Sequence, residues 1–452
     1  MVEPLKVLTF NQDSTCIAAA TEKSLAVFNC DPFDVSYKNT DYTATIMELL
    51  FSTSLAAIVD PKQHNKCLKI INIKKDTTIC ELSFVTEIID VKMNRKRMII
   101  VLTDKILIYD VSCMKLLHQI DISSNNLFKS NDKKLSCAIS SSDASLLAFQ
   151  QTHPESNINQ ENSEGTDDNN NNDKNYNNSK ENFGHQSGNV VIFDTLKLVP
   201  ISIINCHKTS IEKLVLSENG ALLASASIKG TIIRVFDTKT SKKVCEFRRG
   251  RLPATVTSLA FNQENTILAC ASLNGTIHFF KIKPEISEIG LRSASSLRTS
   301  ANMTPQMRSL LSASSPHELP HSSELTSNEA EEIRCLMDSI HTEDLSSKNN
   351  KKASQPRTST IDKTKKLKDL LWSSSKKYLP ENITSILQPE RDFAYIRLAS
   401  PGRCVVGLVD QTCYVAAFNG LFLHYLLPSA SSSASSTGPI ECIPVKQHAI
   451  SI

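Results

Sequence analysis

The chain has no run of the roughly 20 apolar residues that a bilayer-spanning helix requires, so any contact with a membrane is expected to be peripheral. Residues Met1 to Phe10 lack the basic-then-apolar pattern of a secretory signal. No two of the thirteen cysteines form a C-x-x-C pair and their number is odd, which points to packed, reduced thiols in a cytosolic protein. A net charge of +3 over 452 residues is too small to argue for nucleic acid, so any affinity for anions has to come from local clustering. The phosphate-cradling G-x-x-x-x-G-K and the nucleophile-elbow G-x-S-x-G strings are missing, and no cysteine–histidine set has metal spacing. The expectation is a protein that is not an enzyme and holds no metal or cofactor.

What is present is repetition. Phe10-Asn11-Gln12-Asp13-Ser14-Thr15-Cys16-Ile17-Ala18, Leu216-Ser217-Glu218-Asn219-Gly220-Ala221-Leu222-Leu223-Ala224 and Phe261-Asn262-Gln263-Glu264-Asn265-Thr266-Ile267-Leu268-Ala269 each read as a strand end, a polar turn and a short apolar strand. The last two are followed by a second matched pair, Ser227 to Phe236 and Ser272 to Phe280. The copies lie 45 residues apart, within the blade period of a β-propeller. Weaker echoes give seven units, beginning near residues 5, 44, 88, 134, 208, 254 and 402. A single four-stranded blade cannot bury its faces, whereas a closed ring of seven can. Trp372 is the only tryptophan, so the Trp-Asp dipeptide of ordinary WD repeats is absent. The fold class is therefore all-β: one divergent seven-bladed β-propeller spanning residues 1–452.

Two long insertions interrupt the units. Residues 153–186, in the fourth, are dominated by Asn, Asp, Glu and Ser and cannot supply a core, so they are expected to be disordered. Residues 284–377, in the sixth, are rich in Ser, Thr and Lys, and the last strand of that unit resumes near Phe393. Lys351 to Lys377 contains nine Lys/Arg against two Asp, with Leu367, Leu370 and Leu371 at helical spacing beside Trp372. Such a basic amphipathic segment suits an anionic membrane interface, and equally a helix capping the ring or a solvated linker.

At the seam between the fifth and sixth units stand two adjacent arginines, in Phe247-Arg248-Arg249-Gly250. Strand alternation would send the two guanidinium groups to opposite sides, one towards each repeat. Each side has a histidine and two hydroxyls: His207, Ser227 and Thr231 before the pair, Ser272, Thr276 and His278 after it. Sets of this composition suit phosphate or sugar oxygens. The competing reading is that the hydroxyls beside Gly230 and Gly275 only build turns and that the histidines satisfy local backbone groups. Both arginines are expected at the surface, with no buried partner.

Phe247-Arg248-Arg249-Gly250 resembles the F-R-R-G signature of the PROPPIN family, phosphoinositide-binding β-propellers that include the WIPI proteins of autophagy. Leu8 to Asp13, Leu50 to Leu55, Asn94-Arg95, Tyr109-Asp110, Met114 to Leu117 and Tyr378-Leu379-Pro380 are similar to further family motifs, in family order. The resemblance implies a monomeric, non-catalytic reader of phosphatidylinositol 3-phosphate or 3,5-bisphosphate. It implies one head-group site from His207, Ser227, Thr231 and Arg248, with Ser225 as an alternative hydroxyl, and a second from Arg249, Ser272, Thr276 and His278. It also implies insertion of the sixth-blade loop into the membrane through Leu367, Leu370, Leu371 and Trp372. Expected partners are a lipid-transfer protein or a conjugation-complex scaffold of autophagy, and expected locations are phagophore, endosomal, vacuolar or other organelle membranes. The rival from another class is a WD-type scaffold without lipid binding. A phosphoinositide phosphatase is the enzyme alternative, and it is disfavoured because no C-x-x-x-x-x-R phosphate loop is expected.

Overall fold

The computed structural model describes residues 3–122, 135–151, 188–283, 389–428 and 438–452. Both insertions, 153–186 and 284–377 with Leu367, Leu370, Leu371 and Trp372, lie outside the described residues.

Seven antiparallel sheets follow one another along the chain, each built from four consecutive strands or nearly so. Their first strands begin at Val7, Ile46, Ile88, Cys137, Ile211, Val256 and Cys404, within three residues of the starts read from the repeats. First strands of neighbouring sheets touch in sequence around the molecule, and the first strand of the last sheet touches that of the first, so the ring is closed. The molecule is a seven-bladed β-propeller.

The position of each strand within its blade explains its composition. Second strands are covered on both faces by the adjacent blades, and they read as unbroken runs of small or apolar residues: Cys16–Ala20, Leu222–Ser227 and Ile267–Ser272 are buried at every position. Fourth strands form the rim and alternate, as in Thr77–Ser83 and Leu116–Asp121. Seven apolar clusters fill the seven gaps between blades. The gap between the last and first blades has no strand exchanged across it. Side chains close it: Ile17, Phe28 and Leu8 pack on Tyr414, Phe422 and Ile450, and Phe33 stacks between Phe28 and Phe422 at 5.3 and 4.7 Å.

The carboxy-terminal segment serves two blades. Ile440–Glu441 adds a parallel fifth strand to blade six, and Pro444–Ala449 then forms the outer strand of blade seven.

Candidate functional site

Phe247, on the fourth strand of blade five (Lys243–Arg248), is fully buried and stacks on Phe280 of blade six at 4.8 Å. This ring fixes the direction of the two residues that follow. Arg248 lies opposite Ile232 at the strand end, is half-buried, and has no hydrogen-bond or carboxylate partner for its guanidinium among the described residues. Its backbone N–H donates to the Glu390 carbonyl at 2.9 Å. Arg249 turns the other way, as alternation predicts, but it is not a surface residue: only 6% of it is exposed. Its Nε donates to the Gly230 carbonyl and its Nη2 to the Leu252 carbonyl, both at 2.6 Å. The expectation that neither arginine has a buried partner therefore fails for Arg249. The carbonyls left over where two loops converge on the seam supply an acceptor set that a guanidinium fork can fill.

The blade-five set divides. Ser227 ends the second strand and Thr231 precedes the third, at the same end of the blade as Arg248. Neither hydroxyl bonds to another described residue. His207 is drawn inward, 6% exposed, with Nε2 3.1 Å from the Ser225 hydroxyl and Nδ1 3.2 Å from Nη1 of Arg234. Because that guanidinium can only donate, Nδ1 accepts and Nε2 carries the proton. Burial, and then the Arg234 charge, pull the His207 pKa down to about 4, so the ring is neutral at ordinary pH. Arg234 also donates to the Cys206 carbonyl at 2.8 Å and to Glu246, whose carboxylate takes a second bond from Lys243. The structure thus couples His207 to Ser225, the alternative hydroxyl, and to an arginine that sequence reasoning passed over.

In blade six the hydroxyls are committed. Ser272 donates to the Asn274 carboxamide oxygen at 2.7 Å and Thr276 donates to the same oxygen at 2.8 Å, so the turn-building reading applies to both. His278 pairs with Asp392 at 2.8 Å and stacks on Phe280. The two sets are also offset. Ala226 pairs with Ile233 but Ala271 pairs with Ile277, so blade five holds one more residue between the turn glycine and the first paired position. By register His278 corresponds to Arg234 rather than to His207, and Thr276, which faces Arg397, corresponds to Ile232, which faces Arg248. Arg397 is exposed and lines a cavity of about 170 Å³ between blades six and seven.

Two strings carry the letters of catalytic motifs. Cys245-Glu246-Phe247-Arg248-Arg249-Gly250-Arg251 has the C-x-x-x-x-x-R spacing of a phosphatase loop. Its cysteine, however, lies inside a β-strand, and burial pushes the thiol up to about 12, so it is not the thiolate that such chemistry uses. His317-Glu318-Leu319-Pro320-His321 has H-E-x-x-H spacing, but Pro320 falls inside the helical turn that must place both histidines on one face. It lies outside the described residues. Among the described residues no group of His, Cys, Asp or Glu could hold a metal ion.

The PROPPIN family profile matches residues 4–163 and 169–295. Autophagy-related protein 21 of Pichia angusta is 38% identical over 99% of both chains, and autophagy-related protein 18 of Yarrowia lipolytica is 32% identical over 100% of this chain and 97% of that one. Among solved structures, KlAtg21 in complex with the coiled coil of AgAtg16 superposes with a TM-score of 0.63 at 26% identity, covering 99% of each chain. Hsv2 of Kluyvelomyces marxianus, at a TM-score of 0.60 and 14% identity over the whole of both chains, shares the fold. The seven blades, the arginine seam and these matches make the chain a member of the PROPPIN family of non-catalytic autophagy β-propellers.

Proposed function

We propose that this protein reads phosphatidylinositol 3-phosphate or 3,5-bisphosphate on cytosol-facing organelle membranes and recruits autophagy machinery there. The observation that carries the reading is Arg248, a guanidinium without an acidic partner among the described residues, at the same end of blade five as the unengaged hydroxyls of Ser227 and Thr231. A free fork beside two hydroxyls suits a phosphomonoester, which offers several acceptor oxygens in a small volume. The second site, Arg249, Ser272, Thr276 and His278, is the weaker one, because its hydroxyls are bonded to Asn274 and its guanidinium offers only the face not spent on the Gly230 and Leu252 carbonyls. His207 acts behind the first site by fixing Arg234 and Ser225. Leu367, Leu370, Leu371 and Trp372 insert into the bilayer, and the two polar insertions at 153–186 and 284–377 are loops of blades four and six.

The partner is a coiled-coil scaffold of the conjugation machinery. This follows the relative solved with the coiled coil of AgAtg16. Flotation of the full chain with vesicles containing either phosphoinositide tests the reading: wild type floats and Arg248→Ala loses at least tenfold in affinity, the worth of about one charge-assisted hydrogen bond. If wild type does not float, the chain is a WD-type scaffold without lipid binding.

A further inference from the structure

Three exposed branched residues surround the arginine seam. Ile228 is 52% exposed in the turn between the second and third strands of blade five, Leu252 is 79% exposed in the connection to blade six, and Leu273 is 48% exposed in the matching turn of blade six. Antiparallel order brings all three segments to one end of the two blades, the end where Arg248 finishes its strand. The turns at the opposite end, residues 217–221, 238–242 and 262–266, carry no exposed large apolar side chain. Among the described residues the asymmetry belongs to one end of the same two sheets, so a general excess of surface hydrophobicity does not account for it.

The three loops are joined to one another. Arg249 holds the Gly230 and Leu252 carbonyls together, Ala254 N–H donates to the Lys229 carbonyl at 3.3 Å, and Leu273 N–H donates to the Thr255 carbonyl at 2.9 Å. Gly230 permits this closure. It has φ +58°, and a Cβ there would lie 2.0 Å from the Ala254 carbonyl oxygen. Lys229 and Arg251 alternate with the apolar tips along the chain, both exposed and without a carboxylate partner among the described residues.

We infer that Ile228, Leu252 and Leu273 form a rigid apolar anchor that enters the interface of an anionic bilayer while Arg248 holds a head group. This rests on the proposed lipid reading and adds an anchoring site distinct from residues 367–372. Interleaved cations favour a lipid surface over a protein groove, since apolar tips between unpaired Lys and Arg match acyl chains beneath anionic head groups. Loops already tied together lose little freedom on binding, so their apolar area is converted to affinity with small ordering losses.

The test is a triple variant, Ile228→Ser with Leu252→Ser and Leu273→Ser, compared with wild type in two assays. Affinity for vesicles of phosphatidylcholine with phosphatidylinositol 3-phosphate should fall by about tenfold or more, while calorimetry with soluble dibutanoyl phosphatidylinositol 3-phosphate should be unchanged. A Leu252→Trp variant should bind the vesicles more tightly, and its added fluorescence should be quenched by brominated acyl chains. A triple variant that binds head group and vesicles as wild type does would overturn the anchor and leave the patch to a protein partner. Wild type that ignores the soluble head group but needs the three residues to bind phosphatidylserine vesicles would keep the anchor and sink the head-group reading. Wild type that binds neither would end both.

Discussion

Blades five and six carry the same turn, S-x-x-G-T, yet the hydroxyls of one are open and those of the other are closed. The difference traces to the third residue. Asn274 in blade six offers a carboxamide oxygen that takes bonds from both Ser272 and Thr276, whereas blade five has Lys229, which can only donate. The arginines invert in the same way, Arg248 being unengaged and Arg249 spent on two carbonyls. Two sets with equal inventories therefore differ in what remains for a ligand. A residue type that can bind phosphate is available for it only if the fold has not already satisfied it.

The largest expected effect comes from removing the ring that separates the two sets. Phe247→Ala deletes a fully buried side chain stacked on Phe280, and it should lower stability by about 3–5 kcal/mol in chemical denaturation and loosen both sites. Next is pH. The folded pKa of His207 lies below its unfolded value of 6.5, so the unfolded chain binds the extra proton first and stability falls as pH drops from 6.5 towards 4. That loss, up to about 3 kcal/mol, should appear in denaturation midpoints of wild type and be absent from His207→Gln; equal pH slopes would show that the ring is not held neutral.

The arginine pair should then separate by readout. Arg249→Ala strips donors from two carbonyls and should destabilise by about 1–3 kcal/mol, while Arg248→Ala should leave the denaturation curve in place and weaken vesicle binding. Equal stability losses from the two would mean that Arg248 has a partner after all. The smallest expected effect comes from converting one turn into the other. Lys229→Asn should give blade five the acceptor that closes blade six and reduce head-group affinity about threefold to tenfold, on the order of one neutral hydrogen bond. Calorimetry that finds no loss would show that Ser227 and Thr231 do not bind the head group.

The ring was legible because its cause is periodic: second strands covered on both faces must be small and apolar, so Leu222–Ser227 and Ile267–Ser272 announce themselves 45 residues apart. The seam was legible as chemistry, because Arg-Arg between two hydroxyl-rich turns is scarce. Its wiring was not. One extra residue after Gly230 moves Arg234 into the place of His278, and no composition reveals a one-residue offset at a turn. The burial of Arg249 was hidden for a related reason: its acceptors are backbone carbonyls, which every residue possesses. The C-x-x-x-x-x-R string misleads in the opposite sense, since its letters match while a strand interior keeps the thiol protonated.

Glu390 takes on a mechanical meaning in this setting. Before the chain reaches the outer strand of blade six at Ala394, Glu390 has donated its N–H to the Glu246 carbonyl and accepted the Arg248 N–H, a single parallel bridge on the rim of blade five. Tension applied through the polypeptide from the amino-terminal side of Pro389 is borne first by these two bonds, which flank the residue before the arginine pair. The bridge is thus a shear clip in series with the sixth blade. A load too small to open it leaves Ala394–Arg397 unstressed, and a load that opens it releases the edge of the strand that ends in Arg248.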